Sequence, residues 1–366
     1  MEKSGESMTQ ENSENMLSED ILNKGQLTNR LSRRCFLATG VAANVAVTWR
    51  PSLAADPENL KLSRFWIADG LPLTLDRWMP NPTTSFEGKI IDISDRELLY
   101  IPKSGEVVRR MQGDQVIAVD VAWDTDLAAK AHNLFSERKN IESIKAAEQG
   151  VQSGIQQWQQ RLLFAEMADA YRNLGRFAES GLLFLTLIKH SPPTFLYASM
   201  PLVWTRTDLD KKALDSAKDW IEQDTEAAKL LGASWLLSGS DRSKAESILR
   251  SLSQSKKPVI AQLATAQLWR TVPATDGISQ KQIQWQTMRN KMLLPIQVGP
   301  TEVIADKLDQ AGNAMQAVPE WLRIAIVHRD RYDAASRAIT RAAKAKRDAG
   351  QEAEAKRIEE LLQTLP

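Results

Sequence analysis

Few side chains in this chain are spaced so that they could do chemistry together. Two acid pairs, Asp124/Asp126 and Asp208/Asp210, have a spacing that would suit a metal site or acid–base work. Each stands just before a helical apolar pattern, where a carboxylate accepts from free backbone N–H groups and meets the positive end of the helix dipole. Capping is therefore the reading adopted for both. Histidine occurs only at His132, His190 and His328, which match no metal-ligand spacing, so a protein-bound transition metal is not expected. His132 sits among alanines on an amphipathic pattern with no catalytic partner nominated by spacing, and reads as a packed or exposed residue. The one cysteine, Cys35, lies in a segment expected to be removed. The mature chain would then hold no thiol nucleophile, disulfide or iron–sulfur ligand. The sequence carries no Gly-rich phosphate loop, nucleophile elbow or metalloprotease helix. No catalytic, cofactor-binding or metal residue is assigned, and no cofactor is expected.

Two sets of residues point to binding instead. Arg337, Arg341 and Lys344 share a helical face near the C-terminus and would suit an anionic partner, but Asp330, Asp333 and Asp348 are interleaved with them. A solvated face of mixed charge is the favoured reading. The chain also has 11 tryptophans. Trp158, Trp204, Trp220, Trp235, Trp269, Trp285 and Trp321 all fall at apolar positions in or beside helical patterns, so the core is their default place. One or two of them could serve as binding anchors in a groove.

The elements that must position these residues follow from composition and period. With 366 residues, 43% of them apolar, the chain is long enough to bury a sizeable core. A net charge of +1 argues against bulk attraction to nucleic acid or to an anionic membrane. Residues 1–29 are polar, lean acidic and read as a disordered leader. Residues 30–54 contain Ser32-Arg33-Arg34-Cys35-Phe36-Leu37 and then a mildly apolar stretch diluted by Gly40 and Asn44. This is the twin-arginine export pattern, with Ser52-Leu53-Ala54 offering small residues for a signal peptidase. Its apolar run, about 13 to 15 residues, falls short of the roughly 20 needed to span a bilayer, so no stable membrane span is expected after cleavage.

Residues 55–82 read as an irregular lead-in with a short strand around Phe65 to Ile67. A period of two then predicts four hairpin-linked strands, Phe86–Ile93, Glu97–Ile101, Glu106–Met111 and Gln115–Val121. Together, residues 83–122 would make a small antiparallel β meander or Sm-like barrel. From 123 to 366 every apolar pattern is helical. The pairs expected are 125–138 with 140–150, 161–174 with 177–188, 211–223 with 226–237, and 242–254 with 259–271. A further helix is expected at 278–293. Phe135 and Tyr171 stand 36 residues apart, as do Ile141 and Phe177, which argues for a repeated helical hairpin. Gly175, Gly312 and Gly350 are each followed five residues later by a small side chain: Ser180, Ala317 and Ala355. Twelve residues after each glycine comes Leu187, Ile324 or Leu362. The small residue lets two helices cross closely. Pro319 falls early in its helix and predicts a later start or a kink.

In the stretch Arg161 to Pro193, Phe164, Ala168, Tyr171, Gly175, Phe177, Ser180, Phe184 and Pro192 stand at the consensus positions of a tetratricopeptide repeat, and the chain resembles that family. Residues 341–366 match fairly and 307–329 in part. The layout of leader, short β segment and helical hairpins broken by Pro201-Leu202-Val203-Trp204 and Gly299-Pro300 is also similar to exported repeat proteins of planctomycetes. The resemblance implies a mainly α fold, a tetratricopeptide-like α-solenoid after a small β domain, and a place outside the cytoplasm. It implies no activity.

The functional expectation combines location and scaffold. The chain reads as an exported, periplasmic or extracellular, non-catalytic scaffold that holds a protein or peptide partner of the cell envelope on the concave face of its helices. The twin-arginine machinery and a signal peptidase would be partners during biogenesis, and nucleic acid would not. Two alternatives stand beside this: a periplasmic enzyme with carboxylates hidden among the helices, and a module whose β segment binds the partner.

Overall fold

The computed structural model describes residues 60–68, 83–275 and 277–365, in which five strands come first and thirteen α-helices follow. The expected leader and signal peptide, and most of the lead-in, lie outside these residues. The strands are β1 (Leu62–Ala68), β2 (Thr83–Ile93), β3 (Glu97–Pro102), β4 (Arg109–Gln112) and β5 (Val116–Asp120). All are paired antiparallel in the order β4-β3-β2-β1-β5.

This order corrects the four-strand meander. The short strand expected around Phe65 belongs to the sheet and lies inside it, between β2 and the edge strand β5. Its alternation sends Ser63 and Phe65 inward, and the Phe65 ring stacks on Phe86 at 5.7 Å and meets the Tyr100 edge at 4.9 Å. Instead of forming a hairpin with β4, β5 is turned back by a 3₁₀ turn at Gly113–Gln115 and pairs with β1. No ladder joins β4 to β5 among the described residues, so the pairing draws a sheet with two edges rather than a closed barrel. The strand expected at Glu106–Met111 begins only at Arg109, because Lys103 to Val108 form an exposed hairpin tip.

The helices are α1 (Asp126–Ser136), α2 (Asn140–Gln152), α3 (Gln157–Asn173), α4 (Phe177–Ile188), α5 (Lys211–Ile221), α6 (Glu226–Leu236) and α7 (Arg242–Leu252). They continue as α8 (Pro258–Trp269), α9 (Ile278–Asn290), α10 (Val298–Gln310), α11 (Ala314–Val327), α12 (Tyr332–Asp348) and α13 (Glu352–Glu360). Most helices adjacent in sequence pack together, α1 with α2, α3 with α4, α5 with α6, α10 with α11 and α11 with α12 most closely. The turn glycines have the conformation their positions ask for: Gly175, Gly312 and Gly350 have φ of +74°, +78° and +75°. At each, the next residue's N–H reaches back five residues, Arg176 to Tyr171, Asn313 to Leu308 and Gln351 to Lys346, closing the helix end. The small residues five positions on are fully buried, and the Ser180 hydroxyl donates to the Ala168 carbonyl across the crossing at 2.6 Å.

The same turn recurs between α1 and α2 without glycine. Arg138 takes φ +61°, and Lys139 N–H reaches back to the Leu134 carbonyl. This sets Leu134 against Tyr171 and Arg138 against Gly175. The structural offset is thus 37 residues, one more than the spacing of Phe135 and Tyr171 suggests, because the two aromatics sit at neighbouring rather than matching positions. Two further differences concern proline and polar caps. α11 starts at Ala314 and runs through Pro319, so the helix does not wait for the proline. α9 stops at Asn290, and Leu294–Gln297 forms a separate 3₁₀ turn.

The segments between hairpins turn inward. The 3₁₀ segment Thr194–Ser199 touches α3, β5 and the turn at Leu294–Gln297. Beyond it Pro201–Trp204 is clamped by side chains of later hairpins. Trp235 Nε1 donates to the Pro201 carbonyl at 2.7 Å, Val203 N to Ser234 Oγ at 3.0 Å, and Gln267 Nε2 to the Val203 carbonyl at 3.1 Å. Trp204 lies flat against Gly299 in α10, where a Cβ would stand 2.0 Å from the indole.

Candidate functional site

The hairpin that best matches the repeat consensus is α3/α4, and α3 decides whether its face is open to a partner. A repeat helix with one free face should carry charge there. Instead α3 is buried along nearly its whole length and on all sides, polar residues Gln159, Gln160, Arg161 and Asp169 included. Each of those faces something of this same chain. Near its start, Arg161 donates to Asp92 at 2.9 Å and to the Ile93 carbonyl at 2.5 Å, pinning α3 to β2. Asp124 accepts from the backbone and side-chain nitrogens of Gln156, tying the entrance of α1 to that of α3.

Near the other end of α3, Asp169 is 3% exposed and gathers three groups. Ser199 Oγ donates to it at 2.7 Å from the inward 3₁₀ segment, and Arg172 pairs with it at 2.7 Å from the next turn of its own helix. Arg331, at the start of α12, reaches it at 2.7 Å across 162 residues of sequence. Burial pushes the Asp169 carboxyl up, but Arg172, Arg331 and the Ser199 hydroxyl outweigh it, so its pKa ends below the usual carboxylate range. Next to this contact the Arg138 guanidinium lies 3.6 Å over the Tyr332 ring. The first two hairpins and the last one therefore touch, and the inner face of α3 is occupied by the chain itself.

A second buried polar group lies under α11. Arg289 and Glu320, 3% and 2% exposed at their side chains, form an ion pair, and Gln286 Nε2 donates to Glu320 at 2.7 Å. Arg323 donates to Gln297 Oε1 at 3.1 Å. Beside them His328 is 3% exposed, and burial together with Arg323, Arg331 and Arg289 depresses its pKa to about 3, so the ring is neutral. Charges are costly to bury alone, and here Arg289 and Glu320 offset each other while His328 Nε2 is buried without a hydrogen-bond partner, which is the arrangement of a structural network.

The residues singled out from the sequence are placed as follows. Asp210 caps α5 by accepting from Ala213 N at 2.7 Å, while α1 is capped by Thr125, with Asp126 in its first turn and Asp124 engaged with Gln156. The two acid pairs do not meet. The C-terminal cations meet acids: Arg337 pairs with Glu302, Arg341 with Asp306 and Asp309, Lys344 with Asp348, and Arg341 also stacks over Trp321. Trp158, Trp220, Trp235, Trp269, Trp285 and Trp321 are buried, with Trp269 and Trp285 stacked at 5.3 Å, and Trp204 is half-buried. Among the described residues no group of His, Cys, Asp and Glu could hold a metal ion.

Sequence reasoning missed the roles of Asp169, Arg331 and Glu320. The one trace they leave is that α3 carries Gln159, Gln160, Ala165 and Ala170 off its apolar stripe, where a solvated face would carry lysine and glutamate.

Among the described residues, one surface open to a partner is the β3–β4 end of the sheet. Lys103 to Arg110 are all exposed, with Val107 at 76% and Val108 at 51%, and among the described residues β4 pairs only with β3. An edge strand presents backbone donors and acceptors that a further strand can take up. At the tip Lys103 pairs with Glu87 and Arg110 with Glu97, while Arg109 and Glu106 are exposed. Comparison with protein-family models, curated proteins and solved structures finds no match to this chain.

Proposed function

We propose that this chain is an exported, non-catalytic scaffold of the tetratricopeptide-like solenoid type that binds a protein or peptide partner of the cell envelope. The contact is made by the β segment, and the helical hairpins serve as its mount. The observation that carries this choice is the contrast between α3, whose inner face is taken up by Asp92, Ser199 and Arg331, and the open edge beside Val107 and Val108. An extended, acidic partner segment laid along β4 would pair its backbone with the edge and set a carboxylate against Arg109, Arg110 being already paired with Glu97. Support for the repeat scaffold comes from the recurring glycine turn with its reach-back hydrogen bond. Support for export comes from Arg33, Arg34, Phe36, Leu37 and the small residues before Ala55.

The test is affinity capture from the native envelope fraction with the mature chain from residue 55, run beside a Val107→Asp, Val108→Asp variant and a helix-surface variant, Ile141→Asp with Leu182→Asp. Loss of an acidic partner in the valine variant alone is the expected result. Loss in the helix variant alone moves the contact to the hairpins. Retention of only a small molecule or polysaccharide by all three favours the enzyme reading. Export is tested separately: replacing Arg33 and Arg34 by lysine should hold the precursor inside, and the exported chain should begin at Ala55.

A further inference from the structure

Glu166 sits on α3, His132 on α1 and Trp123 just beyond β5, and the three side chains meet where the sheet hands the chain over to the helices. His132 Nδ1 lies 2.6 Å from Glu166 Oε1, and the Trp123 ring is tilted against the imidazole at 5.6 Å. The His132 side chain is 40% exposed and that of Glu166 18%. Glu166 Oε2 is buried without a hydrogen-bond partner, so the carboxylate depends on the imidazole for most of its compensation. The junction is held further by Lys61 Nζ, which donates to the Trp123 carbonyl at 2.6 Å, and by Ala122 N, which donates to Ser63 Oγ at 3.1 Å.

We propose that His132 and Glu166 form a pH-sensitive latch between α1 and α3, closed when His132 is protonated and loosened when it is not. This does not rest on the proposed function. The charged groups acting on the imidazole are Glu166 from α3 and Asp120 from β5, both acidic, while Lys61 is turned to the Trp123 carbonyl. With His132 protonated, the pair is a charge-assisted hydrogen bond, and the imidazolium also offsets Asp120. On losing its proton the ring can still donate through Nδ1, but the partly buried Glu166 carboxylate then loses the positive charge that offset it. The Glu166 hydrogen bond, opposed by burial, holds the His132 pKa above its ordinary 6.5. A group raised in this way lends stability in full below its unfolded pKa, and that stability drains away as pH rises through the folded value.

The test is an NMR titration of the full chain, following the His132 ring nitrogens beside amide exchange of α1, from about pH 6 to about pH 8, where imidazoles titrate. His132 should titrate above 6.5, and α1 should lose protection relative to a His132→Gln variant as the proton leaves. In Glu166→Gln the midpoint should fall and the pH dependence of α1 protection should vanish. If that variant does not fold, Asp120→Asn, on the exposed end of β5, should lower the midpoint by a smaller amount. A wild-type midpoint at or below 6.5 overturns the latch. So does a midpoint that neither variant moves, or an α1 protection that follows the same pH course in His132→Gln.

Discussion

Asp169 shows how much one buried carboxylate can be asked to do. Replacing it by asparagine keeps the shape but leaves Arg172, Arg331 and Ser199 around a neutral group. Breaking a buried pair from one side costs about 3 to 5 kcal/mol, and a drop of that size in unfolding free energy is expected in urea titrations of Asp169→Asn. Titration adds a second reading at this scale. Because the folded-state pKa of Asp169 is lowered, its contribution is full above the unfolded carboxylate value and is lost as pH falls through the folded one. His328 acts in the same direction. Below 6.5 the unfolded chain takes up a proton that the buried ring refuses down to about 3, so stability falls across that window. In His328→Gln the urea midpoint should decline less between these limits than in the wild type. His132 runs the other way, losing its contribution toward alkaline pH. Neutral pH is therefore a compromise among three residues whose contributions change with pH in opposite directions.

At the level of elements, the turn between α1 and α2 gives the sharpest test, since Arg138 occupies a left-handed position that glycine fills in three later hairpins. A non-glycine residue there is strained by roughly 1 to 2 kcal/mol, and the stacking of its guanidinium on Tyr332 returns about the same. Arg138→Gly should accordingly change stability by less than about 1 kcal/mol, the gain and the loss nearly cancelling. Gly175→Arg, with no ring to cover, should cost roughly 1 to 2 kcal/mol. Differential scanning calorimetry of the two variants compares them directly. Most of the helices were legible because local patterns define them: Gly312 and Gly350 mark turns, Pro258 starts a helix, and the small residues Ser180, Ala317 and Ala355 mark crossings. β1 was half legible, its alternation in Ser63 and Phe65 clear but its partners set by residues 15 to 56 positions away. The occupied face of α3 was not legible at all. Arg161 and Asp169 look like solvated residues until β2, the Ser199 segment and Arg331 arrive from elsewhere to bury them.

Across the whole molecule, the contact of Arg331 with Asp169 and of Tyr332 with Arg138 joins the last hairpin to the first two. Repeat arrays touch only their neighbours and unfold piecemeal, whereas helices whose first and last hairpins meet should unfold as one. Tryptophan fluorescence and far-UV circular dichroism should therefore report a single shared transition in the wild type. In an Arg331→Ala, Tyr332→Ala double variant the two signals should part, with α12 and α13 melting first. The same contact reaches back to the moment of synthesis. Asp169 leaves the ribosome 162 residues ahead of the arginine that completes it. At roughly 5 to 20 residues per second, that is a wait of about 8 to 30 s. Throughout it, the early hairpins carry a half-compensated carboxylate and an unfinished interior. Any nascent-chain binder that reads exposed interior has that interval in which to act, and only the arrival of the final hairpin ends it.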